Sequence, residues 1–127
     1  MTQAFDPHGT YVHLQDGGAA DPVELTPEFW PELMAGQRHY PGRMLMAFRM
    51  TGGMAHWEQH PQGEEILYLQ SGIVDLVLDD DGNETTVRLT AGRAVIVPRG
   101  IWHRFEVHEP GELIAITAGE GTETRPV

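Results

Sequence analysis

From Met44 to Thr117 the chain runs in short apolar stretches, each cut off by glycine, proline, asparagine or aspartate. Within them, side chains of like character recur at every second residue. Met44, Met46, Phe48 and Met50 share one face of such a stretch, and Ile101, His103 and Phe105 share another. A period of two is the mark of a β-strand with one buried face. The pattern predicts strands at Met44–Met50, Met54–His60, Glu65–Gln70, Ile73–Leu78, Thr85–Leu89, Ala94–Val97, Ile101–His108 and Glu112–Thr117. Many short strands with turn residues between them point to an all-β sandwich or barrel.

The turns have their own chemistry. Asp79-Asp80-Asp81-Gly82-Asn83 predicts a hairpin loop, because glycine and asparagine accept positive φ. Ser71-Gly72, Thr90-Ala91-Gly92, Pro98-Arg99-Gly100 and Glu109-Pro110-Gly111 mark further bends. The aspartate run lacks the ligand spacing of an EF-hand loop and reads as a solvated hairpin tip. One helix is predicted, with Thr26 as N-cap, Pro27 at the first helical position and Gly36 beyond its end. Phe29, Trp30 and Leu33 would share its apolar face. Residues 1–25 read as an arm with a strand at Tyr11–Leu14, and residues 118–127 as a polar tail. The whole of 1–127 reads as one domain with its barrel core at about 42–119.

Composition narrows the chemistry. The 127 residues contain no cysteine, which removes disulfides and thiolate metal sites. Any metal must be held by imidazole nitrogen and carboxylate oxygen. Eight basic residues against nineteen acidic ones give a net charge of −11, which argues against nucleic acid and anionic membrane as partners. The first residues show neither the basic start nor the apolar run of a signal peptide. No apolar run is long enough to span a bilayer. A cytoplasmic protein is the default expectation.

Two segments carry candidate chemistry. In His56-Trp57-Glu58-Gln59-His60 the alternation points His56, Glu58 and His60 to one side, and after the Pro61-Gln62-Gly63 turn Glu65 or Glu64 returns to the same space. A helical His-x-x-x-His reading, as in zinc proteases, is opposed by Gly52-Gly53 and Pro61 on its flanks. In the second segment His103 points into an apolar interior, where an imidazole needs a partner. Met44, Met46, Met50 and Met54 read as core and pocket lining rather than a soft-metal site.

These residues resemble the two motifs of the cupin superfamily. Gly52, Glu58, His60, Glu65 and Gly72 fall on the first motif; Gly92, Pro98, Gly100 and His103 fall on the second. The chain departs from the pattern twice: Glu58 stands at the place of the first histidine, and Val107 at that of an asparagine. The resemblance covers residues 52–107, and the chain is similar to a group of small bacterial single-domain cupins. It implies a double-stranded β-helix, or jelly-roll-like barrel, and a divalent metal (Fe, Mn, Zn or Ni) on Glu58, His60, Glu65 and His103. His56 would sit on the rim or replace Glu58. A Glu58 displaced from the metal would be a catalytic general base; otherwise it is a bystander carboxylate or pairs with Arg49 or Arg104.

The expected function is that of a metal-binding small-molecule cupin, an enzyme of dioxygenase, isomerase or lyase type. Its substrate would be a small, oxygenated, partly apolar metabolite in a pocket of Met46, Phe48, His56, Leu67, Leu69 and Phe105. The alternative is a non-catalytic binding or sensor barrel, with or without metal. Trp57 and Trp102 lie opposite the ligands and suggest a homodimer surface. His8, His13, His39 and His108 read as surface residues.

Overall fold

The alternation does produce strands. A computed structural model describes residues 2–127 as eleven strands and one short helix among the described residues. In chain order they are β1 (Thr10–Leu14), β2 (Ala20–Glu24), α1 (Phe29–Met34), β3 (Arg43–Met50), β4 (His56–Gln59) and β5 (Glu65–Leu69). There follow β6 (Ile73–Asp80), β7 (Asn83–Thr90), β8 (Arg93–Val97), β9 (Trp102–Glu109), β10 (Gly111–Thr117) and β11 (Glu123–Pro126). A six-stranded sheet runs β2-β1-β3-β10-β5-β8, and a five-stranded sheet runs β11-β4-β9-β6-β7. Every pairing is antiparallel. The two sheets face one another as a jelly-roll-like barrel.

The core is layered by register. Leu113 lies beside Leu69, and Ala115 beside Leu67, on the inner face of the larger sheet. Leu76 lies beside Phe105 on the inner face of the smaller one. Together with Val74, Leu89 and Val97 these residues form the main buried cluster. A second cluster of Tyr11, Phe29 and Met44 fills the space between the N-terminal hairpin, α1 and β3.

Several sequence expectations shift. The arm holds the strand expected at Tyr11–Leu14, as β1, and a second strand, β2, beside it: the two form a hairpin, and β1 docks on β3 through Val12, His13 and Leu14. Pro22 is tolerated in β2 because that strand is an edge. The polar tail adds a strand the pattern did not show, since β11 pairs with β4 from Glu123↔Gln59 to Pro126↔His56. Helix α1 begins at Phe29 with Glu28 as its cap, not at Thr26, whose carbonyl instead closes a turn onto the Phe29 N–H at 3.1 Å. Pro31 fits because its position in the first turn has no carbonyl to bond. Gly36 ends the helix as expected: at φ +73° its N–H bonds Leu33 O while the Gln37 N–H bonds Glu32 O. Trp30 does not join Phe29 in the interior and is 38% exposed.

The strand expected from Met54 is shorter and starts at His56, because Gly52-Gly53 breaks the run and the Met54 N–H bonds Phe105 O at 3.1 Å. The β6–β7 hairpin is tighter than the sequence suggested. Only Asp81 (φ 53°) and Gly82 (φ 85°) lie between the strands, the double positive φ of a two-residue hairpin turn.

Candidate metal centre

The ligand candidates come from three strands and meet at one end of the barrel. Glu58 on β4 is in register with His103 on β9. His60 lies just past β4, where the chain turns at Pro61, and its carbonyl accepts from the Gly100 N–H at 3.0 Å. Glu65 opens β5 beside Val97. Ligand atoms of Glu58, His60 and His103 all lie within 4.8 Å of one another, a spacing that can hold a metal ion. Glu65 is between the two rings, with Oε2 3.4 Å from His60 Nε2 and Oε1 3.2 Å from His103 Nε2. Glu65, His60 and His103 are buried at 6%, 6% and 1% exposure, while Glu58 is only partly so.

Hydrogen bonding assigns the tautomers. His103 Nδ1 faces the carbonyl of Ile101 at 3.0 Å, and a carbonyl only accepts. His60 Nδ1 faces Thr122 Oγ1 at 2.8 Å, and that hydroxyl donates to Gly119 O, so it accepts from the ring. Both rings therefore carry their proton on Nδ1 when neutral, and both Nε2 lone pairs point at carboxylates. His60 Nε2 is fully buried with no hydrogen-bond partner. Thr117 Oγ1 donates to Glu65 Oε2 at 2.5 Å and is the only hydroxyl on that carboxylate among the described residues.

Two Nε2 lone pairs and two carboxylates thus converge; the Thr117 hydroxyl serves Glu65 and the His56 ring stands beside Glu58, but no donor reaches His60 Nε2. A buried arrangement of this kind is costly unless a proton or a cation occupies its centre. A divalent ion fits on charge, on donor type and on tautomer, since the protein acceptors behind each ring hold the imidazole in the ligating form. Without a metal, the electrostatics favour a proton at the centre of the group. Burial acts against ionisation of Glu65, but the His103 and His60 rings outweigh it and bring its pKa from 4.5 down to about 2. Burial likewise disfavours a charged His103, and Glu65 overrides it to raise the pKa above 6.5.

The remaining candidates fall around this group. His56 is a half-exposed rim residue whose Nε2 lies 3.1 Å from Glu58 Oε1. Arg49 and Arg104 do not pair with Glu58; they bond Glu112 and Glu106. Leu67, Leu69 and Phe105 are packed into the core, with the Phe105 ring 6.5 Å from that of His103. Met46 and Phe48 are half-buried and pack against the Tyr11–Phe29 cluster rather than standing free. Two surface clefts of about 540 and 480 Å³ are lined by other residues, among them Arg49 and Glu112 in one, Arg43 and Arg99 in the other. The second also takes in Gln62, Gly63, Glu64 and Ala118, the chain neighbours of His60, Glu65 and Thr117, but none of the four ligand candidates lines either cleft.

Sequence reasoning missed Thr117 and Thr122. Thr117 shares the inward parity of Leu113 and Ala115, a signal that was present in the pattern. Thr122 lies in a segment whose composition is that of a tail. Trp57 and Trp102 lie on the far face, as their parity required, but β11 covers them: the Arg125 guanidinium stands 5.3 Å from the Trp57 ring and 4.6 Å from the Trp102 ring. Trp57 is 6% exposed. Trp57 is thus packed within the chain, while Trp102 stays partly exposed.

A two-sheet β-barrel with histidines and carboxylates gathered together defines a class of small barrels with a candidate metal site. The cupin domain model matches residues 45–119, and the chain belongs to the cupin family. No curated protein matches the sequence. Among solved structures the fold resembles a cupin-2 domain protein from Shewanella frigidimarina (17% identity, 65% of this chain and 76% of that one, TM-score 0.53). It also resembles the oxalate decarboxylase of Bacillus subtilis, solved as a mutant (24% identity, 67% of this chain, TM-score 0.52). The chain spans only 23% of the decarboxylase's length, and at these identities the likeness is one of fold.

Proposed function

We propose that this cupin binds one divalent metal ion through His60, His103, Glu65 and Glu58 and acts on a small oxygenated metabolite at the ion's open face. The observation that carries the reading is the pair of buried rings, both protonated at Nδ1, with His60 Nε2 unpartnered and aimed at carboxylates. Two imidazoles and two carboxylates form a hard, anionic set suited to Fe(II), Mn(II) or Zn(II), with Ni(II) a further candidate. Such an ion would supply Lewis acidity toward a chelating oxygen ligand. The chain's own part is to fix the rings, to keep Glu65 ionised and to exclude water from the buried side. Glu58, on the open side and in contact with the rim residue His56, is placed to take or return a proton at its carboxylate if it leaves the ion. This supports an enzyme of dioxygenase, isomerase or lyase type.

One observation favours a second reading, a metal-free binding barrel. The Glu65 carboxylate bridges both rings, an arrangement that a proton on His103 also satisfies.

Metal analysis decides between them. Protein purified without chelator should carry near one equivalent of metal, and His103→Ala should lose it. Loss in Glu58→Ala as well would make Glu58 a ligand; retention with lost turnover would make it the proton-transfer group. The Bacillus subtilis decarboxylase is described by its Mn(II) centres, so Mn(II) belongs in the reloading panel beside Fe, Zn and Ni. If wild type holds no metal and none of the four raises its melting temperature, the metal reading fails. Turnover of a panel of small 2-oxo acids and diketones then separates enzyme from binding module.

A further inference from the structure

All eight basic residues are arginine, and five of them pair with a carboxylate: Arg38 with Glu32, Arg49 with Glu112, Arg88 with Asp75, Arg104 with Glu106 and Arg125 with Asp79. Nineteen acidic residues offer partners to all, yet among the described residues three arginines form no ion pair. Two of the three, Arg43 and Arg99, line the same cleft of about 480 Å³. Asp16, Glu64 and Glu120 line it too. None of these carboxylates pairs with either arginine; Glu120 is turned instead to the Tyr40 N–H at 2.7 Å and to His39 at 3.7 Å. Charges of both signs therefore border one space without meeting across it. The other cleft differs, because its charges are satisfied from within: Arg49 bonds Glu112 and His8 bonds Asp6.

The backbone behind the cleft needs small residues. Gly42, at φ +91°, comes so near β1 that a Cβ there would stand 2.7 Å from Leu14 O, and a Cβ on Gly63 would stand 3.1 Å from that of Ala118. Glycine at both places lets the segments before β3, before β5 and after β10 close together. Arg43 opens β3 and Arg99 follows β8, with β10 and β5 between those strands. Three strand spacings set the two backbones about 14 Å apart, a span for a small molecule rather than a bare ion. The cleft's volume lies within the roughly 300–1,000 Å³ of small-molecule sites.

We infer that this cleft binds a free amino acid, with its carboxylate on Arg43 and Arg99 and its ammonium group among Asp16, Glu64 and Glu120. Charge selects that class. Two guanidiniums against three carboxylates leave the lining with an excess negative charge, in a chain of −11. A simple anion is repelled by the whole, and a simple cation by the two arginines. A zwitterion meets both signs at once, and the guanidinium fork matches a carboxylate in shape. The site is separate from the candidate metal centre. Glu64 is exposed where its neighbour Glu65 is buried, and none of Glu58, His60, Glu65 and His103 lines the cleft. The inference stands whether or not the protein holds a metal.

Amide chemical-shift mapping on the full chain tests it. Free amino acids also chelate metals, so chelator-treated protein is used, which removes the metal centre as a rival site. The standard L-amino acids are added singly at about 10 mM, where even a millimolar Kd leaves most sites filled. At least one should shift the amides of Gly63, Glu64, Ala118 and Glu120. Those of Gly92 and Gly111, at the other end of the same sheet, should stay in place. The N-acetyl and carboxamide derivatives of that amino acid each lack one charge. Each should bind at least about tenfold more weakly, because charged groups of the cleft are left unpaired. Arg43→Gln and Arg99→Gln should weaken the intact amino acid by a similar factor. Arg93→Gln, at the third unpaired arginine and outside the cleft, should not. All three arginines are exposed, so the variants should keep the wild-type melting temperature. Should one misfold, the amide map and the derivatives still decide on wild-type protein. The inference is overturned if no amino acid moves those amides or if the shifts fall only elsewhere. It is equally overturned if the charge-blocked derivatives bind as well, or if both arginine variants keep full affinity.

Discussion

His60 and His103 are held in one tautomer by unlike acceptors, a threonine hydroxyl and a backbone carbonyl. The consequence for pH can be worked out with its sign. The Glu65 pKa is depressed in the folded state, so its contribution is present above about 4.5 and is lost as pH falls toward about 2. A depression of that size is worth about 3 kcal/mol. The His103 pKa is raised, so its contribution is complete below 6.5 and is lost as pH rises through the higher folded value. Chelator-treated protein should therefore be most stable between about pH 4.5 and 6.5. Metal-loaded protein should behave oppositely on the alkaline side, because protons compete with the ion for the same lone pairs. Melting temperatures from pH 3 to 8, with and without metal, check both limbs. Glu65→Gln should flatten the acid limb. An apo curve still rising between pH 6.5 and 8 would contradict the Glu65–His103 coupling.

At the scale of elements, β11 does two jobs that its composition conceals. It carries Arg125 across Trp57 and Trp102 and onto Asp79, and the turn before it brings Thr122 to His60. Arg125→Ala should cost about 1–2 kcal/mol in urea unfolding and shift tryptophan fluorescence to the red as both rings meet water. Thr122→Val should weaken metal affinity about 10- to 100-fold, with His103 and Glu65 untouched, because the His60 ring loses the acceptor that fixes it. Unchanged affinity would show that His60 needs no such support. The same strand shows where the sequence is legible. The eight strands of the barrel announce themselves by alternation and by glycine turns, and His60, Glu65 and His103 follow from parity once those strands are drawn. Glu123-Thr124-Arg125-Pro126 has no apolar alternation, because its outer side is held by a cation over aromatic rings rather than by aliphatic burial. β2 escaped for a related reason: Ala20-Asp21-Pro22-Val23-Glu24 shows no apolar alternation, and its proline is admitted only at the sheet edge. The Asp81-Gly82 turn was blurred by the two aspartates before it and the asparagine after it; of these Asp79 is held by the Gly82 N–H and Arg125.

At the scale of the molecule, the family match and the folded structure do not share boundaries. The matching region begins at residue 45 and ends at 119, yet β1, β2 and α1 lie before it and β11 after it. Tyr11 and Phe29, 2% and 0% exposed, are the inner wall against which Met44, Met46 and Phe48 rest. Without them the inner face of β3 meets solvent over a width of several side chains, and β3 becomes an unprotected edge. Full burial of each large side chain is worth about 1.5–3 kcal/mol, and a domain of this size holds only about 5–15 kcal/mol in reserve. A fragment of residues 42–127 should therefore lose most of its stability. The expected result is a broadened or absent thermal transition, strong binding of a hydrophobic dye, and aggregation at concentrations where the full chain is clear. Phe29→Ala is the milder version and should cost about 3–5 kcal/mol while leaving the ligand group in place. If the fragment instead melts with the full chain's midpoint, the hairpin and α1 are ornaments on a self-sufficient barrel. Sharply reduced stability with metal still bound by the surviving folded fraction would mean that the N-terminal segment holds the barrel closed while the metal centre is built wholly by the strands behind it.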